Sequence, residues 1–325
     1  MTDLKNRFIE IYGGSPDDIR VFSSAGRVNL IGEHTDYNGG FVFPAAISFC
    51  STIFVRKTDD GKIKLAATDL PDRVVLDIDR LNDYRDLKWG NYQAGVAYVL
   101  QQAGYDICSC EILYHDTVPF GAGLSSSAAI EVVMALTLAT FSNEKRGITE
   151  PVSMIEMAKL SQKAENVYCG VSWGIMDQFA SAVGPKDHAM FEAEKERILN
   201  PVCRRRAEHV IYECDRVLKS VEALMNGDLL KFGNLMTASH ISLRDLYEVT
   251  GTHLDTMVEE ALKIEGCIGA RMTGAGFGGS TVAIVKEDAV DHYIEEVGKN
   301  YEEKTGLKPS FYISDAADGG HEIKE

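Results

Sequence analysis

The chain has 325 residues, of which 45% are hydrophobic and 25% are charged, and its formal net charge is −16. This length predicts about two domains, and the acidic excess argues against binding to nucleic acid or to an anionic membrane surface, since both repel a negative protein. No apolar stretch approaches the roughly 20 residues that span a bilayer, so no membrane partner is expected. The cysteines are scattered and odd in number, which favours reduced thiols in a cytoplasmic protein. They are Cys50, Cys108, Cys110, Cys169, Cys203, Cys214 and Cys267.

Along the chain, β-branched runs and helical periods alternate irregularly. Strands are predicted over 19–23, 51–56, 62–67, 73–78, 110–118, 281–285 and 310–314. Helices are predicted over 89–104, 128–141, 149–168, several stretches between 204 and 265, and a segment that ends near 304. The helix at 128–141 is apolar on nearly all sides, which indicates burial. The mixed order predicts an α+β fold with helices packed on largely antiparallel sheets, and a composition shift over 186–200 divides it into 1–185 and 186–325.

Residues 118–129 (VPFGAGLSSSAA) connect a predicted strand to the buried helix, and they are typical of a phosphate site. Gly121 and Gly123 allow the backbone to approach a ligand closely. The serines that follow add hydroxyls, and the helix N-terminus adds free N–H groups and a positive dipole end. The segment is not a Walker A loop, because no Gly-Lys-Ser/Thr sequence follows. A serine N-cap on a core helix is the alternative for this feature taken alone.

Residues 25–40 (AGRVNLIGEHTDYNGG) place four charged or imidazole side chains within ten residues, ahead of a hairpin signal. They are Arg27, Glu33, His34 and Asp36. Carboxylates accept hydrogen bonds from hydroxyls, so this density of acids suits a polyol ligand. A solvated turn is the alternative, and a metal site with one histidine and two acids is less favoured.

Asp177 lies in the otherwise apolar run 170–181 (GVSWGIMDQFAS). A buried carboxylate is costly unless it is paired, so Asp177 is a candidate functional residue. The alternative is a helix N-cap or a structurally paired carboxylate. Glu165 lies twelve residues upstream, on a helix with an apolar pattern.

Residues 273–281 (TGAGFGGST) satisfy the G-x-G-x-x-G pattern with Gly274, Gly276 and Gly279. The dinucleotide fingerprint needs a strand, then glycines, then a helix, whereas a strand follows these glycines. We therefore reject dinucleotide binding and predict a glycine loop that packs tightly against another loop.

In this order, the four segments resemble the GHMP small-molecule kinases and, within that family, the galactokinases. Residues 26–37 (GRVNLIGEHTDY) are similar to the galactokinase signature, 121–129 (GAGLSSSAA) to the ATP-phosphate loop and 271–279 (RMTGAGFGG) to the third family motif. Shorter matches lie at 89–92, 162–165, 174–178, 242–245 and 247–249. The resemblance extends over nearly the whole chain, and the four motifs together are specific where one glycine loop would be weak.

The resemblance implies a two-lobed α+β fold of mixed and antiparallel sheets, with the active site in the cleft between the lobes. It implies ATP-dependent phosphorylation of α-D-galactose at the C1 hydroxyl, the entry step of the Leloir pathway, with Mg²⁺ as cofactor. The residues that would bind the ATP phosphates are Gly121, Ala122, Gly123, Leu124, Ser125, Ser126 and Ser127. Those that would hold the sugar are Glu33, His34, Thr35, Asp36 and Gly174. Ser127 and Glu165 would hold Mg²⁺, and Asp177 and Arg27 would be catalytic.

Arg27 beside Asp177 would keep that carboxylate ionised, since a unit pair about 4 Å apart gains roughly 4 kcal/mol at an effective dielectric near 20. A carboxylate stabilised in this way is a weak base. Because charge spreads over the transferring oxygens in a loose phosphoryl-transfer transition state, early proton abstraction is not needed. Asp177 is therefore predicted to orient the C1 hydroxyl and to accept its proton late.

The chain departs from the family after Phe191. Galactokinases continue there for several tens of residues, including a Ser-x-Tyr-x-x-Arg-Arg stretch whose tyrosine contacts the sugar, whereas 204–210 already resembles a much later family segment. Either the printed sequence omits an internal piece or the protein lacks it, and we favour omission because every other motif is intact. A true deletion would open one wall of the sugar pocket and expose a sheet edge.

Two other functions fit these residues. One is a kinase for N-acetylgalactosamine or another hexose, and the other is a non-catalytic sensor that binds galactose and ATP. Sensors of this kind lack two residues in the serine-alanine loop, whereas 125–129 is complete here, which favours catalysis. By analogy with the family, the chain is expected to be a monomer.

Overall fold

β-Branched and aromatic residues in the first third of the chain form most of a mixed sheet, which has six strands among the described residues. The computed structural model describes residues 2–38, 40–119, 126–170, 192, 196, 199–315 and 319–323. The strands of this sheet are β1 (Arg20–Ile31), β2 (Phe43–Lys57), β3 (Lys62–Ala67), β4 (Val74–Asp77), β5 (Cys110–Asp116) and β8 (His321–Ile323). Their spatial order is β4-β3-β5-β2-β1-β8.

β1 and β2 form the central antiparallel pair, in which Arg27 lies opposite Ala46. β2 also pairs antiparallel with β5, whereas β3 and β5 are parallel. β8 joins the other edge of β1, where Val21 lies opposite Ile323. Residues near the end of the chain thus extend the sheet that the first residues begin.

Helices cover both faces of this sheet, because successive strand side chains point to opposite sides. On one face lie α2 (Gly90–Gln102), α3 (Ser126–Lys145), α4 (Met154–Lys163) and a π-helical turn (Ala164–Tyr168). On the other face, Phe8 of α1 (Thr2–Tyr12) packs with Val21 and Phe54.

α3 is the central helix of the first face, and its predicted burial is confirmed. Its length and mean hydropathy of 1.2 would allow it to cross a membrane, so the expectation that no stretch was long enough was wrong. In the structure, 61% of its apolar window is buried. The helix packs against α2, β1 and β2, which accounts for its apolar composition.

The C-terminal half combines helices with a second, two-stranded sheet. Its elements are α5 (Pro201–Met225), α6 (Leu229–Ser242), α7 (Thr252–Ala261), the antiparallel strands β6 (Cys267–Thr273) and β7 (Ser280–Val285), and α8 (Val290–Thr305). α6 crosses β6 at two glycines: a Cβ on Gly269 would lie 2.4 Å from the Cα of Gly233. The helix backbone therefore lies directly on the strand.

β1 and β2 are longer than the predicted strands at 19–23 and 51–56, and two other predicted elements also differ from the structure. α4 begins at Met154 and not near Thr149, because Ser153 is the N-cap and accepts a hydrogen bond from the backbone N–H of Glu156. The stretch 310–314 forms no strand, although Phe311 packs on the ring of Tyr293. Its sequence has a high β propensity, and it runs beside β2, where the backbone N–H of Ser48 donates to the backbone oxygen of Asp315 at 3.2 Å, but no ladder of backbone bonds forms there among the described residues.

The two halves share a hydrophobic cluster. Ile31 at the end of β1 packs with Val217 of α5 and with Phe232 and Met236 of α6. This contact brings the turn after β1 beside the C-terminal half. The predicted boundary at 185/186 lies outside the described residues and stays a prediction.

Candidate active site

The segment between β1 and β2 folds into a tight turn, which we call the signature turn (residues 32–38 and 40). Gly32 and His34 adopt left-handed backbone conformations, with φ of +101° and +59°. The hydroxyl of Thr35 donates to the backbone oxygen of Gly32 at 2.8 Å, and its backbone oxygen accepts from the N–H groups of Asn38 and Gly40. Thr35 is fully buried, so its side chain holds the turn. Its predicted contact with the substrate stays a prediction.

Glu33 is fully buried in the signature turn and is bonded to the opposite half of the molecule. Its Oε1 accepts hydrogen bonds from the Thr273 hydroxyl and from the backbone N–H of Gly274, each at 2.9 Å. Arg271 Nη1 lies 3.5 Å from the same oxygen. The third glycine motif and the signature turn, which are far apart in sequence, therefore meet at this carboxylate.

A second buried carboxylate, Glu213 of α5, supports the start of the same turn. Its Oε1 accepts from the backbone N–H of Gly32 at 3.0 Å and from the hydroxyl of Ser239. Its Oε2 accepts from Arg216 Nε at 2.6 Å. Burial alone would raise the pKa of Glu213, but Arg216 and the neighbouring His209 and Arg271 hold it below its usual value. Glu213 is thus an anion buried under the signature turn.

Aromatic side chains pack against His34 of the signature turn. Its ring stacks on Tyr247, with centroids 4.9 Å apart and planes 24° apart. The ring of Tyr247 also packs against His209, and the guanidinium of Arg206 lies over it at 4.8 Å. Burial lowers the pKa of His34, so its imidazole is neutral near pH 7.

His209 connects the turn to the helices below it. Its Nε2 lies 3.1 Å from the backbone oxygen of Glu33, and its Nδ1 lies 2.8 Å from the Ser242 hydroxyl. Burial lowers the pKa of His209 to about 4. A neutral imidazole can donate from Nε2 and accept at Nδ1, which satisfies both contacts.

The third glycine motif forms the hairpin loop between β6 and β7. Gly276 has a φ of +86°, and a Cβ there would lie 2.1 Å from the backbone oxygen of Val249. The N–H of Phe277 donates to that same oxygen at 2.8 Å. A strand follows the loop, and the loop packs tightly on another loop, so the rejection of a dinucleotide fingerprint is confirmed.

Two serines of the predicted ATP loop lie at the start of α3. Ser126 and Ser127 occupy its first turn, where backbone N–H groups have no helical partner. The helix dipole places partial positive charge beside them, which favours an anion. The other loop residues, Gly121, Ala122, Gly123, Leu124 and Ser125, lie outside the described residues.

Glu165, on the π-helical turn after α4, is 6% exposed. Burial raises the pKa of Cys169 to about 12, and the charges of Glu165 and Glu131 both raise it further. Glu131 lies one turn after Ser127 on α3, so Glu165 and this part of α3 are both near Cys169. A hydroxyl and a carboxylate supply the oxygen ligands that Mg²⁺ prefers, so Ser127 and Glu165 fit the predicted metal. Within the described part of the chain, no three His, Cys, Asp or Glu side chains form a metal cluster.

The predicted catalytic pair is placed only in part. Arg27 lies on β1, half-buried, five residues before the signature turn begins. Asp177 and Gly174 lie outside the described residues, so the structure neither joins nor separates Asp177 and Arg27. Asp36 lies half-buried in the signature turn, and its predicted contact with the sugar stays a prediction.

Sequence reasoning missed several buried polar residues around the signature turn. They are Arg271, Thr273, His209 and Glu213. The signal for Arg271 is a charged residue within a short apolar strand. The signal for His209 and Glu213 is their spacing of four on the buried face of α5, which Val217 continues.

Three sequence models match the chain. They are the galactokinase galactose-binding signature over residues 6–57, the GHMP kinases N-terminal domain over 91–185 and the GHMP kinases C-terminal domain over 220–303. A galactokinase of Clostridium tetani is 38% identical over 390 positions, which cover 99% of this chain and 98% of that protein. A galactokinase of Bacillus subtilis is 35% identical over 392 positions, with 99% of each chain covered.

Solved structures agree with the sequence comparisons. The crystal structure of Lactococcus lactis galactokinase complexed with galactose matches with a TM-score of 0.85 and 33% identity, over 99% of both chains. The crystal structure of Methanococcus jannaschii mevalonate kinase matches with a TM-score of 0.66 and 22% identity, over 86% of this chain and 94% of that one. The second match shows the fold alone.

The chain is shorter than these relatives at internal positions. The Clostridium tetani alignment runs over 390 positions, whereas this chain has 325 residues. At least 65 positions of the alignment (390 minus 325) are therefore gaps in this chain. These gaps are internal because nearly all of both chains is aligned. Their predicted place after Phe191 stays a prediction, and an intact mass of 35.7 kDa would show that the protein itself lacks the segment.

Proposed function

Because the chain belongs to the galactokinase family of the GHMP kinases, we propose that it transfers the γ-phosphoryl group of ATP to the C1 hydroxyl of α-D-galactose. The product would be galactose 1-phosphate, which begins the Leloir pathway. The observation that carries the proposal is the signature turn. There, a buried carboxylate, a neutral imidazole and a half-buried aspartate come from three of four consecutive residues, 33–36, of a segment that matches the galactose-binding signature.

Glu33, His34 and Asp36 are proposed to hold the sugar. Carboxylate oxygens accept hydrogen bonds from hydroxyls, and bonds to an ionised acceptor are the stronger ones. His34 is held by its stacking on Tyr247, so its orientation is set before the ligand arrives. Thr35 contributes by closing the turn, and Gly174 is proposed to approach the sugar through its backbone.

The first turn of α3 is proposed to hold the ATP phosphates. Ser126 and Ser127 offer hydroxyls and free backbone N–H groups there, and Gly121 to Ser125 are proposed to wrap the phosphates. When bound, Mg²⁺ held by Ser127 and Glu165 would neutralise the charge of the phosphates. Positioning and charge neutralisation supply most of the catalysis in phosphoryl transfer, which fits a site made of donors and oxygen ligands.

Asp177 and Arg27 are proposed to act at the C1 hydroxyl. Asp177 orients this hydroxyl and accepts its proton late, and Arg27 keeps the carboxylate ionised and offsets the developing charge. Asp177→Asn keeps the shape of the side chain and removes its charge. We expect a large fall in kcat with little change in galactose affinity, and near wild-type turnover would contradict this role.

Two alternatives share much of the site: a kinase for N-acetylgalactosamine or another hexose, and a sensor that binds galactose and ATP without turnover. The complete serine-alanine loop argues against the sensor. A coupled ADP-release assay with galactose, N-acetylgalactosamine and glucose separates the three. ADP release with galactose alone is expected, release with another sugar favours the first alternative, and galactose binding without release with any sugar favours the sensor.

We propose further that the enzyme is a cytoplasmic monomer that binds neither nucleic acid nor membrane. The net charge of −16 supports the absence of nucleic-acid and membrane partners, and the scattered cysteines support a reducing compartment. All seven cysteines are free thiols in the structure. Light scattering of the purified protein would test the monomer.

A further inference from the structure

Glu33 uses one of its two carboxylate oxygens to contact the third glycine motif. Oε1 accepts from Thr273 and Gly274, whereas Oε2 is buried and accepts no hydrogen bond from the residues that the structure describes. An ionised carboxylate has acceptor sites on both oxygens. A buried polar atom without a partner is costly, so Oε2 is suited to accept a bond from a ligand hydroxyl.

We propose that Thr273 and Arg271 are positioning residues, which orient Glu33 so that Oε2 accepts a hydrogen bond from one hydroxyl of the sugar. The third glycine motif then determines sugar specificity without touching the sugar through these side chains. This inference rests on the proposed function, because it needs a sugar beside the signature turn.

Thr273 fixes the rotation of the carboxylate. Its hydroxyl lies 2.9 Å from Glu33 Oε1 and 3.2 Å from the backbone oxygen of Asn29. A hydroxyl has one proton, and the charged oxygen at the shorter distance is the better acceptor. With the N–H of Gly274, it gives Oε1 two donors from one hairpin. Rotation of the carboxylate would break both bonds at once.

Arg271 places a positive charge beside the buried carboxylate of Glu33. Its guanidinium is fully buried, and Nη1 donates to the backbone oxygen of Asn29 at 2.9 Å, which fixes the guanidinium relative to β1. Nη1 also lies 3.5 Å from Glu33 Oε1. Charges attract more strongly where water is excluded, so this contact holds the carboxylate in the direction that Thr273 sets.

A buried acceptor of this kind selects a hydroxyl. A site built to bond a substrate hydroxyl rejects the analogue that lacks it by about 10⁴-fold or more, because the polar atoms of the site are then left unpaired. If Thr273 orients that acceptor, its loss weakens the contact with one hydroxyl of the sugar. The other sugar contacts and the binding of ATP do not depend on it.

The test compares Thr273→Val, which removes the hydroxyl at nearly constant shape, with Thr273→Ser, which keeps it. Galactose and its monodeoxy analogues that retain the C1 hydroxyl are the substrates, and KM and kcat are measured for each sugar and for ATP. The matched control is Thr137→Val, whose hydroxyl is also buried but donates within α3, at 2.8 Å to the backbone oxygen of Val133. Arg271→Lys, which keeps the charge, is a second variant.

For Thr273→Val we expect the galactose KM to rise roughly tenfold, as loss of a bond to a charged group implies, with the ATP KM unchanged. The penalty for one deoxy analogue should shrink by the same factor in Thr273→Val. Thr273→Ser should show the full penalty again, and Arg271→Lys should show part of the shrinkage. Thr137→Val should leave the penalty unchanged. An equal rise in KM for all sugars and ATP, or no change, would overturn the inference. If the unsubstituted enzyme did not phosphorylate galactose, the proposed function itself would fail.

Discussion

At the scale of single residues, the site depends on buried charges that have partners. Glu213 and Glu33 are fully buried, and each accepts from the backbone of the glycine loop or turn that it supports. Arg216 and Arg271 supply the opposite charges. Removing one member of such a pair leaves the other buried and uncompensated, which costs far more than the pair itself contributes.

Glu213→Ala would leave the Gly32 N–H and the Arg216 guanidinium without their acceptor. We expect the free energy of unfolding to fall by about 3–5 kcal/mol, measured by urea denaturation. Glu213→Gln keeps an acceptor at Oε1 and should cost less. The control is Glu222→Ala on the same helix, where an exposed pair with Lys231 at 3.6 Å should contribute below about 0.5 kcal/mol. Equal losses for the two alanine variants would contradict the role of Glu213.

His209 makes stability depend on pH in a defined direction. Burial lowers its pKa to about 4, below the ordinary value near 6.5, so between these values the unfolded chain binds a proton that the folded chain does not. This contribution is complete above pH 6.5 and is lost as the pH falls toward 4. Burial also lowers the pKa of His240 to about 4, which acts in the same direction.

His209→Gln should therefore flatten the fall in stability between pH 7 and pH 5. Between pH 7 and pH 5, the free energy of unfolding of the unsubstituted protein should fall by about 2 kcal/mol more than that of the variant. Urea denaturation at each pH measures this difference. His292→Gln, which changes an exposed imidazole on α8, is the control and should leave the slope as it is. The interpretation would be wrong if the two variants showed the same slope.

At the scale of elements, the position of β6 depends on how closely α6 approaches it. Gly233 and Gly269 allow helix and strand backbones to touch, since a Cβ on Gly233 would lie 2.1 Å from the backbone oxygen of Ile268. β6 ends in Thr273 and carries Arg271, so this contact also sets where the partners of Glu33 lie. Small residues here are a requirement of packing and not of backbone conformation.

Gly269→Ala should push α6 away from β6. Overpacking of this kind typically costs about 1–3 kcal/mol, and we expect a loss in that range together with a higher galactose KM. Thermal melts and steady-state kinetics measure the two effects. Gly319→Ala, where an added Cβ meets no described residue within 4 Å, is the control and should change neither quantity. A stable Gly269→Ala variant with an unchanged KM would argue against this coupling.

At the scale of the whole molecule, the ends of the chain and its two halves meet. β8 pairs with β1, and Arg20 forms an ion pair with Glu322 at 2.7 Å. The hydrophobic cluster around Ile31 and the bonds to Glu33 connect the halves at the signature turn. The family motifs therefore act together only after long-range contacts have formed.

Removing residues 319–325 should destabilise the first sheet. Without β8, the backbone of β1 becomes a free edge, and Ile323 no longer packs near Phe8 and Val21. We expect a thermal midpoint lower by a few degrees and greater aggregation by light scattering. Glu322→Ala in the full chain keeps the strand and removes only the ion pair, so it should cost below about 1 kcal/mol. An unchanged midpoint after truncation would show that β8 is dispensable.

The sequence by itself determined the local elements, the family and the segments of the site. Periodicity predicted β1 to β5, the buried helix α3 and the β7 strand after the glycines, because these patterns depend on neighbours along the chain. It also placed Glu33, His34 and Asp36 in one segment. It did not predict β8, the failure of 310–314 to pair, or the start of α4 at Ser153.

Only the tertiary structure decided which residues of different segments meet. In the sequence, Thr273 and Arg271 belong to a glycine motif, and Glu33 is one of several acidic residues in a predicted turn. In the structure, these three side chains lie together in the core. No local pattern could show this, since hydrogen bonds and ion pairs join atoms close in space whatever their distance in sequence. Thr35 and Glu33 are two residues apart in the motif, yet packing bonds the Thr35 hydroxyl within the turn and leaves Glu33 Oε2 without a hydrogen bond from the described residues.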